Sequence, residues 1–575
     1  MARYRDSSGK RLLIVLFFVF VSLAGITARL IFVQQVQAKK YEAMAFGQRL
    51  REIRLNGERG TIYDRNGEPL VINLDAFSIY ATPYFIRSPN QVANKLSVIL
   101  GTDAGTLEKK LKEKSGFVYL ARQVDKDKTN RIRDLKIDGI GFIKERKRFY
   151  PGGNLAAHIL GFAGIDNQGL GGIELQYDKV LTGKPGKLIV EGDPSGSPIP
   201  GGIFSRKDPT EGQPIHLTID KDIQYKAQVE LHGVIEEYKA KGGSVIVMNP
   251  VNGEIYAMAD EPFFDPNNFD KAQEGQRRNR AVTDAYEPGS TAKILTVSAV
   301  LEEGVVRPDD VFNLPAEIDV GGGTFGEYDG KAKGDLTVAG IVAESSNVGA
   351  IKIALKLGEE KLYRYLRAFG LGRISGIDFP GEAEGYVPVP EEWSATSIAT
   401  IPYGQGISAT ALQMLRVVAA VANDGVIVTP HLTRVGAGAR PAEGGISSRP
   451  AVTGKKRAIS EKTARQVQSI LIQAVEKGTG KNARISGYEA GGKTGTAQKP
   501  RENGGYDEGK LVVSFAGFVS NNDPQLAIIV TIDEPQPTGR MPVYGATLAA
   551  PLFKNIAEFS IKRLKIPPGG RSGIP

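Results

Sequence analysis

The sequence predicts a multi-domain α/β chain tied to a membrane by one N-terminal helix. Three observations lead there. At 575 residues, the chain is long enough for two or more domains with sizeable cores. Strand-like alternation and amphipathic helical spacing are interleaved over most of its length, in a composition (41% hydrophobic, 24% charged) ordinary for a globular protein. A single long apolar run, Leu12 to Val33, lies near the start and is interrupted only by Arg29.

As a helix that run spans about 33 Å, enough for a bilayer. Arg29 sits near one end, where its charged head can reach the interface. A cleaved signal peptide is the competing reading. Ser22-Leu23-Ala24 fits a small-x-small cleavage site, but it lies inside the apolar run, where cleavage is disfavoured. We therefore read 1–11 as a tail and 12–33 as a single-pass anchor. Basic residues flank both ends (Arg3, Arg5, Lys10 and Arg11; Lys39, Lys40, Arg49 and Arg51), so charge alone leaves the orientation open. The net charge of +9 is a mild bias at this length, and no nucleic-acid partner is expected. Cysteine is absent, which excludes disulfides and thiolate metal sites. His158, His216, His232 and His431 form no metal-binding pair, so no metal or cofactor is expected.

Beyond the anchor comes Arg59-Gly60-Thr61-Ile62-Tyr63-Asp64-Arg65-Asn66-Gly67, whose Asn66-Gly67 signals a hairpin. Ser88-Pro89 starts a helix with Val92, Leu96 and Ile99 on one face, and Gly101 ends it. A second helix carries Leu107 and Leu111, so about 75–145 reads as a small α/β head. Arg148 to Asn154 and Gly169-Leu170-Gly171-Gly172-Ile173-Glu174 read as turns and salt bridges. The breaker-rich stretch Gly192 to Gly202 marks a loop, and a domain boundary is expected near 205. After it, Pro214 to Thr218 reads as a strand and Asp220 caps a helix to about Lys239. A hairpin turns at Pro250-Val251-Asn252-Gly253, and an Ala- and Val-rich helix starts at Thr410. Strands are expected at Gly487 to Ala497, Lys510 to Phe518 and Leu526 to Ile532, with a last helix from about Ala549 to Lys565 and a disordered tail at 567–575.

The chemistry concentrates at Glu287-Pro288-Gly289-Ser290-Thr291-Ala292-Lys293. An apolar helix follows to Leu301, so Ser290 heads a helix with Lys293 three residues on, on the same face. A serine hydroxyl needs a base to become a nucleophile. Lysine serves only when neutral, and burial or a second cation lowers its pKa. Alone this motif is weak, because serine at a helix start is commonly just a cap. Two more motifs follow: Ser345-Ser346-Asn347 ahead of an apolar helix, and Lys493-Thr494-Gly495-Thr496 in a strand.

S-x-x-K, S-x-N and K-T-G in that order resemble the signature of serine β-lactamases and penicillin-binding proteins, where S-D-N is one form of the second motif. With Arg278-Asn279-Arg280-Ala281-Val282-Thr283-Asp284 and the N-terminal motifs, nearly the whole chain resembles the class B, monofunctional penicillin-binding proteins, D,D-transpeptidases that cross-link peptidoglycan. The resemblance implies an elongated α+β pedestal module (34–205), with Arg59, Gly60, Asp64, Arg65, Gly67, Gly172 and Glu174 structural. It also implies a transpeptidase domain (206–566) with an antiparallel sheet flanked by helices. Ser290 is then the acylated nucleophile and Lys293 its base. Ser345 relays a proton, Asn347 orients Lys293, and Lys493, Thr494 and Thr496 bind the substrate carboxylate. Gly495 clears the substrate's path, and the backbone N–H groups of Ser290 and Thr496 form an oxyanion hole. Strict alternation puts both threonines opposite Lys493, so the strand must be used edge-on or twisted. Ser346 is expected to be a spacer and Thr291 a helix-start residue.

The implied ligands are D-Ala-D-Ala stem peptides and β-lactams, and the implied partners a membrane-embedded SEDS-type glycosyltransferase and divisome proteins. The implied location is the inner membrane at the division septum, with the bulk of the chain periplasmic. A D,D-carboxypeptidase or β-lactamase, and a non-enzymatic β-lactam sensor, use the same motifs. The large N-terminal module disfavours the first pair, and the want of a multi-span signalling region disfavours the sensor. Glu287 before Pro288-Gly289-Ser290, and the missing cysteines, resemble the division enzymes more than the elongation enzymes.

Overall fold

The structure, a computed structural model, describes residues 7–41, 50–55, 57–191, 204–273, 275–434, 456–501, 503–521, 524–539 and 542–568. Residues 1–6, the expected loop 192–202 and residues 569–575 of the expected tail lie outside the described residues. The chain divides into two compact units, Met1–Glu58 with Gly183–Gly212, and Arg59–Thr182 with Gln213–Pro575.

The first unit holds the apolar helix, Ser7–Ile31, continued by a π-helical turn at Phe32–Val36. Gly9–Val36, 28 residues, is long and apolar enough to cross a membrane, somewhat more than the expected 12–33. The unit also contains a three-stranded antiparallel sheet in which Gly186–Glu191 lies between Leu50–Leu55 and Phe204–Lys207.

In the second unit, a head packs around Ile79, Leu96, Leu107, Leu111, Leu120 and Ile132, within the expected 75–145 insert. Its helices Pro89–Leu100 and Ala104–Leu111 end and begin as their sequences direct. Gly101 takes a left-handed conformation after the first, and Asp103 accepts from Thr106 N at 2.8 Å to cap the second. Ser88 makes no side-chain cap; Pro89 at the first helical position starts that helix instead.

The C-terminal part is a five-stranded antiparallel sheet between two helical layers. In chain order its elements are α1 (Lys221–Glu237), β1 (Gly242–Met248), β2 (Ile255–Glu261), α2 (Lys293–Glu302), α3 (Asn347–Leu357), α4 (Ala411–Ala422), α5 (Glu461–Glu476), β3 (Glu489–Pro500), β4 (Tyr506–Ser520), β5 (Pro524–Asp533) and α6 (Ala550–Arg563). The strand order is β2-β1-β5-β4-β3, which leaves β3 at one edge. β1 is buried at every residue because it serves two cores. Ile246 and Met248 face the layer holding α2, α3, α4 and α5, while Val245 and Val247 face α1 and α6. α4 is apolar at every position except Gln413 and Arg416, and buried at every position except Arg416.

Residues 59–182 and 213–575, on either side of the expected boundary at 205, fall in one compact unit. Residues 59–182 pack with the sheet domain through particular contacts. Ile62–Tyr63 pairs in parallel with Ile215–His216, Tyr63 stacks on His216 at 4.9 Å, and Arg65 lies over the Tyr256 ring at 4.3 Å. Asp64 holds the Asn66-Gly67 turn, accepting from Asn66 N (2.7 Å) and Glu68 N (2.8 Å), and Gly67 has a φ of +86°.

One buried ion cluster ties the N-terminal motifs together. Glu174 accepts from Arg59 Nε at 2.5 Å and from Arg148 Nε at 2.6 Å, with Tyr150 OH at 3.3 Å. Arg59 also donates to Asp178 (2.7 Å), Thr182 (2.6 Å) and two backbone carbonyls. Gly60 and Gly172 allow the close packing: a Cβ on Gly60 would fall 2.0 Å from Gln213 O, and one on Gly172 2.5 Å from Ile159 O. Glu174→Ala would leave two buried guanidinium groups without their shared counter-charge. We expect it to destabilise this unit by about 3–5 kcal/mol, read as a lower urea midpoint by far-UV circular dichroism; an unmoved midpoint would remove the cluster from the account.

Candidate active site

Ser290 and Lys293 occupy one tight junction. A 3-10 turn, Gly289–Ala292, runs into α2, which begins at Lys293 and buries every residue from there to Leu301. The helix enters the core at once, and its first residue goes in with it. Lys293 is 1% exposed and Lys493, from β3, is fully buried.

The surroundings of Lys293 Nζ set its protonation. Its neighbours are Ser345 O (2.6 Å), Asn347 Oδ1 (2.8 Å), Ser290 Oγ (3.1 Å) and Ser345 Oγ (3.3 Å). The two shortest contacts are to oxygens that can only accept. A neutral amine has two N–H groups, and these two oxygens take both, so its lone pair is left for the Ser290 hydroxyl proton. Burial pushes the Lys293 amine well below the ordinary lysine value, and the charge of Lys493 pushes it further; Glu327 opposes this and Lys333 assists. Burial also lowers Lys493, to about 7. Lys493 Nζ donates to Ser345 Oγ at 2.8 Å, so Ser345 bridges the two amines.

Ser345 has a φ of +60°, a left-handed conformation that is rare for a residue with a Cβ. It turns the chain between Val338–Ala343 and α3, with Ser346 N donating to Ile341 O. Ser346 is not a spacer, because it caps α3: its Oγ accepts from Gly349 N at 2.8 Å and donates to Glu327. Thr291 is a helix-start residue, donating to Pro288 O at 2.7 Å.

β3 is an edge strand and lies against the turn that carries Ser290. Gly495 meets a packing constraint of its own. A Cβ there would fall 2.3 Å from Ser514 Oγ and 3.2 Å from Pro288 O, so glycine lets the strand lie against β4 and the Ser290 turn. Thr494 Oγ1 pairs with Thr479 Oγ1 at 3.1 Å, and Thr496 Oγ1 accepts from Gly545 N at 3.2 Å. A cavity of about 520 Å³ opens over Ser290, Ser345, Asn347, Thr494 and Thr496, walled by Tyr328, Tyr403, Glu508 and Tyr544. The structure thus brings together every residue of the three motifs. A second cavity, of about 490 Å³, shares Ala497 and Gln498 but holds no ionisable member of the three motifs.

Glu327, Thr479 and Tyr544 also belong to the site, and sequence reading missed them. Each lies outside the three motifs, and no local spacing marks it.

Residues 243–558 match the family model described as penicillin binding protein transpeptidase domain, and residues 54–217 match the penicillin-binding protein dimerisation domain. The chain is 34% identical to stage V sporulation protein D of Bacillus subtilis over 97% of this chain and 86% of that protein. It is 32% identical to peptidoglycan D,D-transpeptidase FtsI of Escherichia coli K12 over 96% and 91%. Among solved structures, penicillin binding protein 3 of Mycobacterium tuberculosis, complexed with aztreonam, superposes with a TM-score of 0.69 at 30% identity, covering 90% of this chain and 98% of that one.

The lysine pair dictates a pH dependence. A lysine base works only in its neutral form, above its depressed pKa, so with Lys293 in that role the rate of acylation by a fluorescent penicillin should fall as pH drops through that value. In Lys493→Met the repulsion is gone, the Lys293 pKa rises, and the acidic limb should move to higher pH. A limb that stays in place or moves down would contradict the coupling.

Proposed function

The chain belongs to the penicillin-binding transpeptidases of the class B type, and we propose that Ser290 carries the acyl group of a stem peptide while peptidoglycan is cross-linked at the division septum. The observation that carries this reading is the buried Lys293 Nζ, held by Ser345 O and Asn347 Oδ1 within 3.1 Å of Ser290 Oγ.

In this reading the substrate is an extended peptide ending in D-Ala-D-Ala, laid along the free edge of β3. Ser290 Oγ attacks the carbonyl between the two D-alanines as its proton passes to Lys293 Nζ. The backbone N–H groups of Ser290 and Thr496 stabilise the oxyanion. The C–N bond breaks, and the leaving D-alanine takes its proton through Ser345, which contacts both amines. An amine from a neighbouring stem then attacks the ester, forms the new amide and frees Ser290. Lys493, Thr494 and Thr496 bind the terminal carboxylate. A β-lactam acylates Ser290 by the same first step.

The similarity to FtsI and the Glu287-Pro288-Gly289-Ser290 wording support the septal assignment. The apolar helix supports single-pass anchoring in the inner membrane with the bulk of the chain periplasmic. The reading leaves glycan polymerisation to a membrane-embedded SEDS-type partner among the divisome proteins. A second reading, a sporulation-stage enzyme, is favoured by the likeness to stage V sporulation protein D.

Mass spectrometry after penicillin treatment should place the adduct on the peptide containing Ser290, and Ser290→Ala should stay folded and unlabelled. Lys293→Arg should lose acylation by orders of magnitude, since arginine does not deprotonate; normal acylation would dismiss lysine as the base. A fluorescent fusion should gather at midcell, and depletion should give filaments that elongate without septating. Signal along the lateral wall with round, swelling cells would indicate elongation, and signal confined to sporulating cells the second reading.

A further inference from the structure

Asn347 and Ser345 must be held to within tenths of an ångström if Lys293 is to keep its lone pair on Ser290. Both lie at the start of α3, where the first N–H groups have no partner within the helix. One carboxylate from a distant segment meets this need. Glu327 Oε2 accepts from Asn347 N at 2.9 Å, and Oε1 accepts from Val348 N at 3.3 Å and from the Ser346 hydroxyl. The residue before it takes the next group: Gly326 O accepts from Asn347 Nδ2 at 3.3 Å. With its NH2 engaged there, the Asn347 amide presents Oδ1 to Lys293.

Glu327 is itself fixed. It follows the hairpin Glu317–Val320 and Gly323–Gly326, its N–H donates to Ala316 O at 2.9 Å, and its own carbonyl accepts from Gly330 N at 3.0 Å. It is 7% exposed, at the end of a helix whose dipole favours an anion. No water-exposed role accounts for a carboxylate buried there.

We propose that Glu327 is the positioning residue of this site, clamping the Ser345–Asn347 turn to the hairpin and setting the charge balance at the catalytic amine. This rests on Lys293 being the base for Ser290. The charged groups facing Lys293 are Lys493 and Lys333, which favour its neutral form, and Glu327, which favours its protonated form. Glu327 thus limits how far the pair of lysines depresses the amine, and keeps it basic enough to take the serine proton.

The test is the rate of acylation by a fluorescent penicillin, per folded molecule, across pH in the full-length protein. Glu327→Gln preserves shape, removes the charge and weakens a charge-assisted clamp. It should acylate about tenfold more slowly, and its acidic limb should move to lower pH. A residue that only supports folding would lower the folded fraction and leave the limb in place. An unmoved limb in folded Glu327→Gln, or a limb moved to higher pH, overturns the proposal. Should Glu327→Gln fail to fold, Ser346→Ala removes one tie to the carboxylate and keeps its charge. Slower acylation with an unmoved limb then supports the clamp, and wild-type acylation overturns it. Ser290→Ala is measured alongside: label retained there would refute the serine assignment itself, independently of either Glu327 outcome.

Discussion

Two lysine amines are buried side by side in this protein, with one serine hydroxyl between them. Water is kept from them by the sheet on one side and by α2 and α3 on the other. Charges in such a place are expensive, and two like charges more so. Proton loss is the relief available to lysine, and in the proposed mechanism that loss provides the base. The apolar helix behind Lys293 is therefore part of the chemistry: an exposed Lys293 with the same neighbours would hold its proton at neutral pH.

The N-terminal motifs meet the same desolvation differently. Around Glu174, two guanidinium groups share one carboxylate, and nearly every donor of Arg59 has an acceptor. Opposite charges there satisfy one another, and the result is rigidity. At Ser290 the facing charges are mostly alike, and the result is reactivity. Glu327 stands between these cases, a carboxylate close enough to steady the turn and to restrain the amines without forming an ion pair with either.

Much of this was legible in the sequence because it is encoded locally. Ser290 and Lys293 share a face because they are three residues apart. The apolar run after them foretells burial, and the pattern around Lys493 foretells a strand. Gly101 terminates its helix as its type requires. The rest was set by distance. Glu327 reaches Asn347 from a separate hairpin, and Gly495 answers to Ser514 on the neighbouring strand. The breakers near 205 mark a loop, whereas contacts such as Arg65 on Tyr256, which join 59–182 to the sheet domain, have no local pattern to reveal them. Ser346 was passed over because it sits between two motif residues, although serine before an apolar helix is itself a cap signal.

β3 has a consequence for the solution behaviour of the molecule. An outermost strand is ordinarily a hazard, since its unpaired backbone groups accept a strand from any other chain, and proteins usually blunt such edges with charge, proline or a bulge. This edge carries glycine and threonine and is left unblunted over the stretch beside Ser290. Its protection is the recess: Tyr328, Tyr403, Glu508 and Tyr544 stand around it. In the proposed reading a single extended peptide enters between these walls, which would obstruct the flat face of another sheet. Solubility and selection of a thin, strand-like ligand are thus obtained from the same enclosure.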